Sequence, residues 1–166
     1  MMLSSKTKAV TVVREKTCCF TGHRHIPFDC RAAIEEQLEA VVRTLIDEGF
    51  VYFGTGGAVG FDTMAAMTVL RLKAEFPHIR LIVVQPCKDQ AAGWGAADRE
   101  RYDEILRRAD KVVSMFDTYQ NGCMQVRNRH LIDHSRVCVC YQTSDDGGTA
   151  YTVEYARKKG VHILSI

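Results

Sequence analysis

Short apolar runs rich in β-branched and aromatic residues alternate with longer stretches of helical periodicity from residue 17 to residue 166, and few folds accept that order. The runs TCCFTG (17–22), FVYFGT (50–55), RLIVVQP (80–86), KVVSM (111–115), RVCVCY (136–141) and VHILSI (161–166) read as strands. Helices are predicted between them over 29–48, 61–75, 98–109, 123–134 and 148–159. In the first, Ile34, Leu38, Val41, Val42 and Leu45 recur at helical spacing, with Asp29 as the candidate cap and Gly49 as the stop. In the second, Phe61, Met64, Ala65, Thr68 and Leu72 share a face. The strands are apolar throughout rather than alternating, as expected when both faces of a sheet are covered. The result is an α/β fold: a doubly wound, mainly parallel sheet of about six strands with helices on both faces. No linker or repeat interrupts it. One domain is expected over 16–166, with residues 1–15 a short lead-in.

Composition narrows the class. The chain carries 46% hydrophobic and 25% charged residues, the balance of an ordinary globular protein. No apolar run approaches the ~18 residues that span a bilayer, so no membrane partner is expected. The first residues lack the apolar core of a secretory signal. A net charge of +2 lacks the basic excess of a nucleic-acid coat, so nucleic acid is an unlikely partner at this stage. Seven cysteines, none spaced as CxxC, suit reduced thiols packed as small apolar groups in a cytoplasmic protein. Neither a metal nor another cofactor is expected.

In a parallel sheet every C-terminal strand end meets one edge, where ligands bind. The segments TGHR (21–24), GTGGAVGFD (54–62), QPCKDQ (85–90), SMFDTYQNG (114–122) and TSDDGGT (143–149) fall there, with most of the glycine and most of the unusual polar residues. The second of them has four glycines in residues 54–60 but no Lys-Ser/Thr pair after them, and Val59 stands where a dinucleotide fingerprint needs its third glycine. What remains is a strand, a glycine turn and a helix start, an arrangement that favours an anion. Asp62, in the first helical turn, either caps that turn or bonds a ribose or base.

DDGGTAYTVEYA (145–156) repeats the pattern: Gly147 and Gly148 open a helix, and Thr149 and Thr152 offer hydroxyls to an oxyanion. Glu154 is either a buried acid/base or a solvated helix residue. Arg127 and Arg129 fall on different sides of their helix, so one can enter the site while the other stays in solvent. Asn128 is ambiguous. His23, beside Arg24, is placed for anion contact or proton transfer, or for packing. Trp94 and Tyr102 either stack on a base or pack as core or lid, and Cys87 is the one thiol to test as a nucleophile.

The blocks CFTGHR, GGAVGFDTMAA, LIVVQPCKDQ, ERYDEILRRADKVV, GCMQVRNRHLIDHS and GGTAYTVEYARKKG occur in this order over roughly 17–166. Together they resemble the YpsA-like branch of the SLOG superfamily, the Rossmann-like group that includes DprA and the LOG proteins. The resemblance implies a Rossmann-like sheet binding a nucleotide-type small molecule, such as ADP-ribose or a nucleoside monophosphate, with a link to bacterial cell division or growth control. On that reading Thr21, Gly22, His23, Arg24, Gly56, Gly57, Gly60, Asp62, Arg127, Asn128, Gly147, Gly148, Thr149 and Thr152 bind the ligand. A homodimer is also open, since relatives pair through helices flanking the sheet.

Two relatives define the alternatives. LOG proteins are phosphoribohydrolases whose GGxGTxxE motif is similar to residues 147–154, which puts Glu154 and Arg127 at catalytic positions if the chain is an enzyme cleaving an N-glycosidic bond. Ala150 and Tyr151 depart from that motif. DprA is similar in the GGAVGFDTMAA block and handles single-stranded DNA.

Overall fold

The computed structural model describes residues 4–166. Six strands form one parallel sheet: β1 (Thr17–Gly22), β2 (Tyr52–Thr55), β3 (Arg80–Cys87), β4 (Lys111–Phe116), β5 (Val137–Tyr141) and β6 (His162–Ser165), in the order β4-β3-β2-β1-β5-β6. The helices are α1 (Ser5–Glu15), α2 (Arg31–Asp47), α3 (Phe61–Leu72), α4 (Ala96–Arg108), α5 (Cys123–Asp133) and α6 (Gly147–Lys158). Strand order follows the chain outward from β1 to β4, then returns to the other side of β1 for β5 and β6. The chain therefore changes winding direction between β1 and β5, which opens a crevice at the C-terminal ends of those two strands.

The apolar strands divide their side chains between two helical layers. Cys18, Phe20, Phe53, Val83 and Val139 pack with Leu38 and Val42 of α2, Phe61, Ala65 and Val69 of α3, and Ile105 of α4. Cys19, Val84 and Cys138 face the other way, onto Leu131 and Ile132 of α5 and Ala156 of α6. Period-two alternation thus explains the adjacent cysteines: Cys18 serves one face and Cys19 the other. Seven thiols are free, and all but Cys30 are buried.

One local expectation is corrected. Asp29 does not cap α2: it sits in a single 3-10 turn, Phe28–Cys30, and no side chain bonds the N-terminus of α2. Residues 5–15 of the expected lead-in form α1, capped by the Ser4 hydroxyl, and none of its side chains is buried. Gly49 does end α2, with φ of +93°. Among the described residues no helix is long and apolar enough to cross a membrane.

Candidate functional site

The crevice at the β1–β5 crossing is a cavity of about 340 Å³ lined by Thr21, Gly22, His23, Arg24, Ala58, Asp62, Met124, Arg127, Asn128, Gly148 and Thr149. Four elements build it: the end of β1, the start of α3, the first turns of α5 and the start of α6. Nine of the residues expected to bind a ligand are brought to it: Thr21, Gly22, His23, Arg24, Asp62, Arg127, Asn128, Gly148 and Thr149. A larger groove of about 510 Å³ lies on the outer surface of α2 and α3. Its Glu35, Glu39, Arg43 and Arg71 already neutralise one another at 2.7–3.1 Å.

Arg127 dominates the cavity. It is only 5% exposed. Its Nη1 donates to the Gly56 carbonyl at 2.6 Å and its Nε to Asn128 Oδ1 at 2.6 Å. Among the described residues no carboxylate oxygen comes within 4.0 Å of its guanidinium. Its hydrogen bonds thus run to neutral acceptors, and its countercharge is Asp62, which flanks the same Gly56 position without reaching ion-pair distance. Burial lowers its proton affinity, against the pull of Asp62. Arg24 lines the same cavity and adds a second positive charge.

Asp62 is 7% exposed and accepts from the Ala58 N–H at 3.3 Å. Burial raises its carboxyl above the ordinary range, more strongly than Arg127, the Ala58 N–H and Arg24 lower it. It closes the turn before α3 and also lines the cavity.

Much of the glycine loop 54–62 is tied into the fold. Four backbone donors in it or just after it are spent within the fold: Gly57 N–H on Thr55 Oγ1, Ala58 N–H on Asp62, Phe61 N–H on the His23 carbonyl and Thr63 N–H on the Ala58 carbonyl. Its glycines are demanded by packing. A Cβ at Gly56 would run into the Arg127 guanidinium and lie 2.8 Å from Asp62 Oδ2. One at Gly60, where φ is +86°, would strike the Arg24 backbone. Gly57 lies against the Tyr102 ring. Gly56, Gly57 and Gly60 thus shape the site rather than line it.

The start of α6 is the open one. No side chain caps it, and Gly147 and Gly148 have nothing within 4 Å of a Cβ position. The first N–H groups of a helix lack intrahelical partners and carry the positive end of its dipole. Gly148 and Thr149 present that end to the cavity, across from Arg127. Gly147 and Thr152 stay outside the lining; the Thr152 hydroxyl donates back to the Gly148 carbonyl at 2.8 Å.

Three further expectations are placed. Glu154 is not brought to the cavity: its side chain is 55% exposed and meets Arg157 and Lys158 of its own helix at 3.6 and 3.9 Å. His23 Nε2 accepts from the Thr143 N–H at 2.8 Å, tying the end of β1 to the loop before α6. That nitrogen is engaged as an acceptor within the fold. Cys87 is buried, and desolvation, with Asp89 beside it, pushes its thiol up to about 12, so it is no thiolate nucleophile.

Sequence reasoning missed the support behind Arg127. Gln90 Nε2 donates to the Gly56 carbonyl at 3.2 Å and to Tyr102 Oη at 3.0 Å. Gln85 Nε2 donates to the same phenol at 2.6 Å, and its Oε1 accepts from the Ser114 hydroxyl at 2.7 Å. Tyr102 is buried in this network, with Trp94 edge-on to its ring at 5.1 Å, so both aromatics pack behind the cavity rather than in it. Glutamines in a segment already assigned to the ligand edge were the available signal.

Comparison with known proteins follows the same lines. A family model described as "YspA SLOG family" matches residues 18–163. A UPF0398 protein of Halalkalibacterium halodurans is 35% identical over 141 residues, covering 83% of this chain and 72% of that protein. The uncharacterised SPbeta prophage-derived protein YoqJ of Bacillus subtilis is 33% identical over 138 residues, covering 75% of this chain and 81% of that one. Two solved structures share the fold. DNA processing protein A of Helicobacter pylori has a TM-score of 0.68 at 19% identity, covering 95% of this chain and 67% of that one. Its Streptococcus pneumoniae counterpart has a TM-score of 0.70 at 18% identity, and this chain spans about half of it, 51%. The Helicobacter pylori structure is described for its single-stranded DNA binding mode, so the expectation against nucleic acid draws no support from these neighbours.

Proposed function

The chain belongs to the YspA SLOG family, and from that premise we propose that the β1–β5 cavity binds a nucleotide or nucleotide-derived small molecule, with the protein acting as a sensor. One observation carries the reading: Arg127 is buried, lines the cavity together with Arg24 and the uncapped start of α6, and among the described residues has no carboxylate at ion-pair distance. A buried cation is costly until an anion joins it. Phosphate oxygens between Arg127, Arg24 and the first N–H groups of α6 supply that anion. Asp62 then accepts from a ligand hydroxyl. In this reading ligand binding is the signal that links the protein to cell division or growth control.

Thermal shift with ADP-ribose, NAD, AMP and cyclic nucleotides tests it. A ligand at a hundred times its Kd stabilises by about 2.7 kcal/mol. No shift with any of them at millimolar concentration removes the reading. The glycosidase alternative loses support because Glu154 lies outside the cavity.

A second reading rests on two exposed aromatics at the same sheet edge, Phe28 at 93% and Tyr119 at 61%. Aromatic surfaces beside arginines stack single-stranded bases. Retention of a single-stranded oligonucleotide that weakens steeply with salt favours it. Salt-insensitive or absent retention returns the site to small molecules.

A further inference from the structure

Resting on the nucleotide reading above, we infer that the cavity recognises the phosphate and sugar of its ligand and leaves the base unread. The lining has no Phe, Tyr or Trp. Its one aromatic ring, His23, is edge-on to Tyr141 at 5.8 Å, with Nε2 committed to Thr143. Of the side chains that discriminate base edges, Arg24, Arg127 and Asp62 go to the phosphate and sugar in that reading, which leaves the amides. The lining contains one amide, Asn128, and its Oδ1 already holds Arg127 Nε at 2.6 Å. The amides of Gln85 and Gln90 are buried and turned onto Tyr102, behind the lining.

What the cavity does offer suits a phosphorylated sugar. Arg24, Arg127 and the α6 start take the phosphate, and Asp62 takes a hydroxyl. Ala58 and Met124 form a small apolar wall. At about 340 Å³ the volume is at the small end of the ~300–1,000 Å³ typical of ligand pockets. With phosphate and sugar held on these groups, the base lies toward the mouth, where any base fits.

Trp94, the single tryptophan, is wired to Arg127 through Tyr102 and Gln90 and supplies a binding signal in the unlabelled protein. Titrations compare AMP, GMP, CMP, UMP, ribose 5-phosphate, adenosine and inorganic phosphate, with calorimetry in parallel. The expected result is four monophosphates within about threefold of one another, ribose 5-phosphate within about tenfold of them, and adenosine much weaker. One monophosphate bound at least about tenfold more tightly than the rest, with no binding of ribose 5-phosphate, overturns the inference while leaving the nucleotide reading intact. No binding by any phosphate-bearing compound removes both. Arg127→Met and the more exposed Arg24→Met, each checked for native circular dichroism, should weaken all the monophosphates by the same factor. Unequal losses among the four bases count against the inference.

Discussion

Arg127 and Gly56 are joined by one 2.6 Å hydrogen bond that spans 71 positions of the chain. The bond holds a buried cation against a carbonyl that Gln90 also reaches at 3.2 Å, so the carbonyl keeps a donor if the arginine is lost.

Arg127→Met should therefore fold. Its guanidinium is buried against its preference, and the apolar replacement removes a charge the interior disfavours. Ligand affinity should fall by about tenfold to a hundredfold, the loss of one charge-assisted hydrogen bond at about 1.5–3 kcal/mol. Arg127→Lys keeps charge but loses the planar fork, and should lie between the two. Calorimetry with the best ligand from the thermal-shift survey, beside urea unfolding of the apo proteins, measures both effects.

Gly56→Ala should do the reverse, destabilising the fold and displacing the arginine together. The new methyl group meets Arg127 and Asp62, and overpacking of this kind costs about 1–3 kcal/mol. Gly148→Ala is the matched control. Its Cβ enters open space at a helical position, where alanine is worth about 0.5–1 kcal/mol over glycine. Urea denaturation should separate the two in opposite directions.

Asp62 gives a pH signature with a definite sign. Its carboxyl is raised in the folded state, so the folded chain holds that proton more tightly than the unfolded chain does. The stabilisation it lends is full below the unfolded carboxylate range near pH 4 and is lost as pH rises through the folded value. At pH 7 Asp62→Asn should raise Tm by a few degrees, and the difference should close on acidification. A fall in Tm at pH 7 would instead show that the turn-closing bond from the Ala58 N–H outweighs the cost of burying the carboxylate.

Of the seven free thiols only Cys30 is exposed. A thiol reagent at pH 8 should modify one cysteine rapidly in the native protein and all seven after denaturation. Fast reaction of a second thiol would show that the sheet opens locally under native conditions.

Much of this was legible from residue patterns alone. The predicted strands and helices match the observed ones to within a few residues, because continuous apolar runs and 3.6-residue periodicity are strong local signals. TGHR, Asp62 and the start of α6 were placed at the ligand edge by topology, whereas the choice of Arg127 over Arg129 came from the family resemblance. What escaped was everything that depends on which neighbour a side chain meets. The glycines of loop 54–62 looked like a ligand cradle, yet Gly56 is small for Arg127 and Gly60 for the Arg24 backbone. Motif spacing put Glu154 at a catalytic position, whereas the orientation of α6 turns it to solvent. Gln85 and Gln90 carry no motif, and their roles arise only when β3, α4 and α5 come together.

The two walls of the cavity differ in how firmly they are built, and that asymmetry bears on kinetics. The α3 side is fastened by its own backbone bonds and by Arg127, so it presents a fixed surface to an arriving molecule. On the α6 side, the Thr143–His23 bond ties the entering loop to β1, beside two glycines in open space. Entry and departure should therefore be timed by residues 143–148, and His23→Ala should change the dwell time of a ligand more than its arrival rate.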